Sequence, residues 1–104
     1  KPARNAGLWP SVQIVNQLRD RSLMVLGSGL TDPDFSLLGA MHLFAWTGIR
    51  RPCALNGPQF LADTLLGDAL RPRRDELALP TAPGLGFVPD PRAAASLRRV
   101  AQLG

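Results

Sequence analysis

The chain has 104 residues, of which 45% are hydrophobic and 19% charged. That length suits one small domain and that balance excludes a disordered tail. No apolar run approaches the roughly 20 residues of a membrane span. Twelve basic and eight acidic residues leave a net charge of +4. The basic residues are scattered, from Arg19 and Arg21 through Arg50, Arg51, Arg71, Arg73 and Arg74 to Arg98 and Arg99. They have few aromatic neighbours, so a nucleic-acid partner is not expected. One cysteine, Cys53, rules out an internal disulfide framework and a multi-thiolate zinc site. A lone thiol and an opening KPARNAGLW without an apolar core fit a cytoplasmic protein with no membrane partner. Residue 1 is Lys rather than Met and opens a segment that reads as the end of a strand, so the expectation is a C-terminal fragment of something larger.

Residues 8–22 read as a helix. Pro10 suits the first turn, and Ile14, Val15 and Leu18 share one face. Leu23–Leu26 is a short run apolar on both sides, the pattern of a buried parallel strand. A loop over 28–36 comes next, with Asp34 or Ser36 available to cap the next helix. That helix, 37–47, is apolar nearly all round, and Gly48 fits its C′ position. Residues 52–55 read as a second strand closed by Asn56-Gly57-Pro58, and 59–66 as a short helix. Alternating strands and helices imply a parallel sheet built of βαβ units. Beyond residue 66 the periodicity lapses among Pro72, Pro80, Pro83, Pro89 and Pro91. Leu77–Leu79 and Phe87–Val88 are short-strand candidates around a turn at Pro83–Gly86. A last helix is expected over 92–103, with Leu97, Val100 and Ala101 inward and Arg98 and Arg99 outward.

Three stretches in this order carry a resemblance. Lys1-Pro2-Ala3-Arg4-Asn5-Ala6-Gly7 comes first, then Gly27-Ser28-Gly29 through Ala40-Met41-His42-Leu43. Ala54-Leu55-Asn56-Gly57-Pro58 with Pro80-Thr81-Ala82-Pro83-Gly84-Leu85-Gly86 completes the set. Together they resemble the C-terminal part of an enolase-superfamily enzyme, in particular the mandelate racemase/muconate lactonizing enzyme family. The resemblance implies an α/β fold, namely strands six to eight and the helices of a (β/α)8 TIM barrel, with a tail returning toward a capping domain. It divides the chain into βα units over 1–66 and a Pro/Gly-rich tail with a C-terminal helix over 67–104.

The activity so implied is abstraction of the proton α to a substrate carboxylate, as a racemase or epimerase, a cycloisomerase or a dehydratase. The enediolate is held on Mg²⁺, whose carboxylate ligands sit on strands absent from this chain, so no metal ligand is assigned among these residues. Lys1 matches the sixth-strand lysine base. It is the only Lys among eleven Arg, and arginine cannot give up its proton; the other reading is an ordinary solvated terminal residue. Substrate contacts are implied for Ser28, Asp32 and Asn56. Asp32 and Asp34 also serve as turn and cap residues around Pro33, and Asn56 reads equally as a turn residue. Thr31 stands where many relatives carry an acid. No His stands in 23–34 to act as a seventh-strand base. His42 reads as a packed, hydrogen-bonded helix residue, and Cys53 as a small buried hydrophobe. A homo-oligomeric parent enzyme acting on a small carboxylate is part of the same implication. An alternative is a non-catalytic remnant or interaction module that needs a partner chain. Either way an open partial sheet exposes edges and apolar faces, so the isolated chain is expected to be inactive, and aggregation-prone, oligomeric or molten.

Overall fold

A computed structural model describes residues 1–62, 64–88, 90–96, 98 and 100–102. Its framework is a helix α1 (Leu8–Asp20), a strand β1 (Ser28–Thr31), a helix α2 (Asp34–Trp46) and a strand β2 (Ala54–Asn56). β1 and β2 pair in parallel, with Ser28 opposite Ala54 and Thr31 opposite Asn56. Three steps along β1 match two along β2, so the ladder is irregular between these pairs. The expected βαβ order is therefore present once.

The C-terminal barrel portion is not. Among the described residues the sheet has two strands rather than three. The segment expected to end a strand forms a 3-10 turn at Pro2–Arg4. Its polar backbone is satisfied locally, by Arg4 N–H on the Lys1 carbonyl at 2.9 Å and by Asn5 and Gly7 N–H on the Pro2 carbonyl at 3.0 Å each. Pro2 brings no N–H to a ladder.

The first strand also lies further along than the apolar run predicts. Leu23, Met24 and Leu26 are 53%, 71% and 58% exposed and unpaired. Pairing starts at Gly27, whose carbonyl accepts the Ala54 N–H at 3.2 Å, and the reason is steric. A Cβ on Gly27 would stand 2.7 Å from both the Cys53 Sγ and the Phe44 ring, so only glycine lets the chain enter the sheet beside them. The end of α1 sets this direction. Ser22 takes a φ of 55°, Leu23 N–H bonds the Leu18 carbonyl and Ser22 N–H bonds the Arg19 carbonyl. This is a Schellman stop built on serine instead of glycine.

α2 is the centre of the core. Leu37 and Leu38 are fully buried, and with Met41 they pack on Leu66 and Leu70. On its other side Ala40, Leu43 and Phe44 meet Val12, Ile49, Cys53 and Leu55. The helix begins at Asp34, three residues before its apolar run, and no side chain caps it. It stops as Gly48 predicts. Gly48 has a φ of 67°, Ile49 N–H reaches the Phe44 carbonyl and Gly48 N–H the Ala45 carbonyl.

α1 is held against α2 by its helix ends. Arg19 donates to the Thr47 carbonyl, at the negative end of α2, and its guanidinium lies 5.6 Å from the Trp46 ring centroid. Helix-end charge and cation–π attraction each contribute about 0.5–1 kcal/mol at exposed sites. Arg19→Met is expected to lower stability by about 1 kcal/mol, read as a fall in the urea midpoint by Trp fluorescence; an unchanged midpoint would remove this contact from the account.

The tail corrects several expectations. A 3-10 turn at Pro58–Phe60 and another at Gly67–Leu70 replace the helix over 59–66. Leu77 and Phe87 form no strand; with Leu85 they lean on the α2 cluster. The Pro83–Gly86 turn does form, closed by Gly86 N–H on the Pro83 carbonyl at 3.2 Å. His42 Nε2 lies 3.1 Å from the Leu85 carbonyl and ties this turn to α2. The last helix, α3, spans only Pro91–Ala95. Val100 is 96% exposed rather than inward, while Leu97 and Arg99 lie outside the described residues.

Candidate functional site

In an open parallel sheet, ligands bind past the carboxyl ends of the strands. In this chain those ends are Thr31 and Asn56. A backbone hydrogen bond ties them: the N–H of Asp32, the residue after β1, donates to the Asn56 carbonyl at 3.0 Å. The fold thus brings Asp32 and Asn56 together.

Their side chains differ in availability. Asp32 is buried, and its carboxylate turns back over β1. Oδ2 accepts the Leu30 N–H at 3.0 Å and Oδ1 accepts the Ser36 hydroxyl at 3.3 Å. A Cβ on Gly29 would collide with that carboxylate, so Gly29 makes the room for it. Asn56 is exposed. Its Oδ1 accepts from Gln59 Nε2 at 3.3 Å, while Gln59 Oε1 accepts the Gly57 N–H at 3.1 Å. This relay orients the amide and leaves the Asn56 NH₂ without a partner among the described residues.

Asp34 begins α2 and is also buried. One oxygen accepts the Leu65 N–H, 31 residues away, and the other has no partner among the described residues. With Phe35, Ser36, Leu61 and Leu65 it borders a cavity of about 390 Å³. Asp34 joins the strand-end region to the segment after β2 rather than capping α2.

The remaining candidates are elsewhere. Ser28 is at the opposite, amino end of β1, its hydroxyl on the Gly29 carbonyl at 3.2 Å. Lys1 is exposed and borders a small cavity of about 130 Å³ with Ile14, Leu18, Val25 and Leu26, against the segment that leads into β1. Thr31 is exposed. Cys53 is half-buried beside Phe44, with its thiol 3.6 Å from the Arg51 carbonyl.

The sequence placed Gly57 in the Asn-Gly-Pro turn but gave no sign of Gln59 or the Leu65 amide. No local signal marks Leu65, because its role depends on a contact 31 residues away.

Among the described residues no three His, Cys, Asp or Glu side chains converge on one point. Asp32 already has both oxygens engaged and Asp34 has one. A magnesium ion wants near-octahedral oxygen coordination, so these residues do not fit it, and no chemical step is routed through a metal at this site. Among the described residues the strand ends offer instead one oriented, unpaired amide donor at Asn56. No helix of the described residues is long and apolar enough to cross a membrane. No protein-family model, curated protein or solved structure matches the chain.

Proposed function

We propose that this chain is one part of a magnesium-dependent enzyme of the mandelate racemase/muconate lactonizing type. It acts on a carboxylate substrate, and polypeptide outside these 104 residues brings the metal ligands and the other catalytic groups. The observation that carries the reading is the clamp between Asp32 N–H and the Asn56 carbonyl. It fixes two parallel strand ends side by side, where such sheets receive ligands. The ordered resemblance of the three stretches supports it.

In this reading Asn56 donates its NH₂ to the substrate, and Asp32 holds the strand end in place. Lys1 is the base that takes the α-proton. It lies beside the segment leading into β1, so this role requires the remaining polypeptide to bring substrate to that side chain. A cytoplasmic location and a homo-oligomeric parent belong to the same proposal, the first supported by the single thiol.

The reading is tested in the polypeptide encoded by the complete reading frame. A Lys-x-Lys motif and three spaced carboxylates ahead of Lys1 are expected. Incubated with Mg²⁺ and a panel of carboxylates in D₂O, that protein exchanges an α-proton, seen by NMR. Lys1→Met slows this by about 10²–10⁴-fold, the usual contribution of a positioned general base. Undiminished exchange would remove Lys1 from the mechanism. A start codon just ahead of Lys1 would end the proposal.

A second reading has its own support. Met24, Leu23 and Leu26 are exposed beside a two-stranded sheet with open edges. Such a surface suits an interaction module that needs a partner chain. A start codon just ahead of Lys1, together with self-association of the isolated chain in sedimentation, favours this reading; a monomer with a cooperative melt counts against it.

A further inference from the structure

A cleft of about 940 Å³ lies away from the strand ends. It opens between the connection Ile49–Pro52, which enters β2 at its amino end, and the segment from Asp68 to Ala78. Four arginines border it: Arg50, Arg51, Arg71 and Arg73. Arg71 is paired with Asp68 at 2.6 Å. The other three have no ion-pair partner among the described residues.

Both walls are fixed by backbone geometry. The Schellman stop of α2, closed by Ile49 N–H on the Phe44 carbonyl, aims the chain into Arg50 and Arg51. On the opposite wall, Arg73 and Glu76 exchange two backbone hydrogen bonds, of 3.0 and 3.2 Å. The tight turn between them places Arg74 at a φ of 59°, a conformation that is costly for a residue carrying a Cβ.

We propose that this cleft binds a small anion carrying two or more phosphoryl groups. Arginine presents a planar fork of donors that pairs bidentately with phosphate, and it stays charged at every working pH. Free guanidinium groups on two separate walls suit a ligand with charge at more than one point. The volume is that of a small-molecule site. Among the described residues no aromatic side chain borders the cleft to stack a base, so a nucleic acid is the poorer occupant. Asp75 and Glu76 border the same space and oppose the arginines. Binding is therefore modest and sensitive to salt, and these two acids give the experiment its control.

The probe is inorganic pyrophosphate, titrated calorimetrically at low ionic strength into the polypeptide encoded by the complete reading frame, with far-UV circular dichroism verifying each variant's fold. One saturable site per chain is expected. Arg50→Gln or Arg51→Gln weakens it about fivefold to tenfold, a loss of about 1–1.4 kcal/mol. Arg4→Gln removes the same charge outside the cleft and changes affinity less than twofold. Asp75→Asn tightens binding, whereas Asp20→Asn does not. Absence of saturable binding overturns the proposal. So does equal weakening by Arg4→Gln and Arg50→Gln, which would mean diffuse attraction to a basic chain. A single-stranded oligonucleotide that displaces pyrophosphate and binds more tightly would reassign the cleft to nucleic acid. The site is independent of the strand-end reading, so either can fail alone.

Discussion

Gly57→Ala is expected to cost about 3 kcal/mol or more. The added Cβ would collide with the Asp32 carbonyl oxygen and stand 3.1 Å from the carbonyl carbon. These are backbone atoms, so no rotamer change relieves the collision. The chain must move apart at the strand ends, and the bond from Asp32 N–H to the Asn56 carbonyl is the first lost. Overpacking of this kind costs about 1–3 kcal/mol, and occasionally more, even where side chains can yield. Gly67→Ala is the control. Gly67 has a φ of 54° but nothing within 4 Å of the added methyl, so only backbone strain of about 1–2 kcal/mol applies. The measurement is urea unfolding together with hydrogen exchange at the Asp32 amide. Accelerated exchange in Gly57→Ala alone is the expected result. An Asp32 amide as protected as in the parent chain would show that the two strand ends are not in contact.

Leu38→Ala is expected to cost about 2–5 kcal/mol, the range for a fully buried leucine truncated in a packed core. Leu38 is 0% exposed and shares its cluster with Leu37, Met41, Leu66 and Leu70. Leu37, Leu38 and Met41 are on α2, whereas Leu66 and Leu70 belong to the segment after β2. The cavity therefore opens where the tail is fastened. Proteolysis in the Gly67–Leu70 region should accelerate alongside the drop in the unfolding midpoint. Val88→Ala, at a side chain 83% exposed, should stay within about 0.5 kcal/mol. Equal effects from the two substitutions would mean that the tail is not packed on α2.

Apolar patterning and end signals carried the helices. Almost unbroken apolar character made 37–47 a buried element, and Gly48 marked its end; both are found. Gly27-Ser28-Gly29 reads as the close of the run Leu23–Leu26 and the opening of a loop, whereas Ser28 begins β1. Periodicity alone cannot tell an apolar strand from an apolar strap. Leu23–Leu26 has the composition of a buried strand, and what it lacks is a neighbour to pair with among the described residues. The same holds for Leu77, which finds a helix instead of a ladder.

The candidate site divides along the same line. Asp32 and Asn56 could be named through the resemblance, and Asn56 also from the turn that closes the run Pro52–Leu55. Which of them is available could not. Only the folded chain turns the Asp32 carboxylate onto Leu30 and Ser36 and leaves the Asn56 amide open. Arg50 and Arg51 are far in sequence from Arg71 and Arg73, and their convergence on one cleft depends on where the tail packs.

The sequence by itself determined the two principal helices, the stop at Gly48, the turn at Pro83–Gly86 and the parallel sense of the sheet, since these come from local propensity and from the length of one crossover. Tertiary structure decided which backbone segments pair, where the strands begin, and which polar groups remain free. Those outcomes depend on close approaches such as Gly57 to Asp32 and Gly27 to Phe44, which arise between residues far apart in the chain and leave no mark in the local pattern.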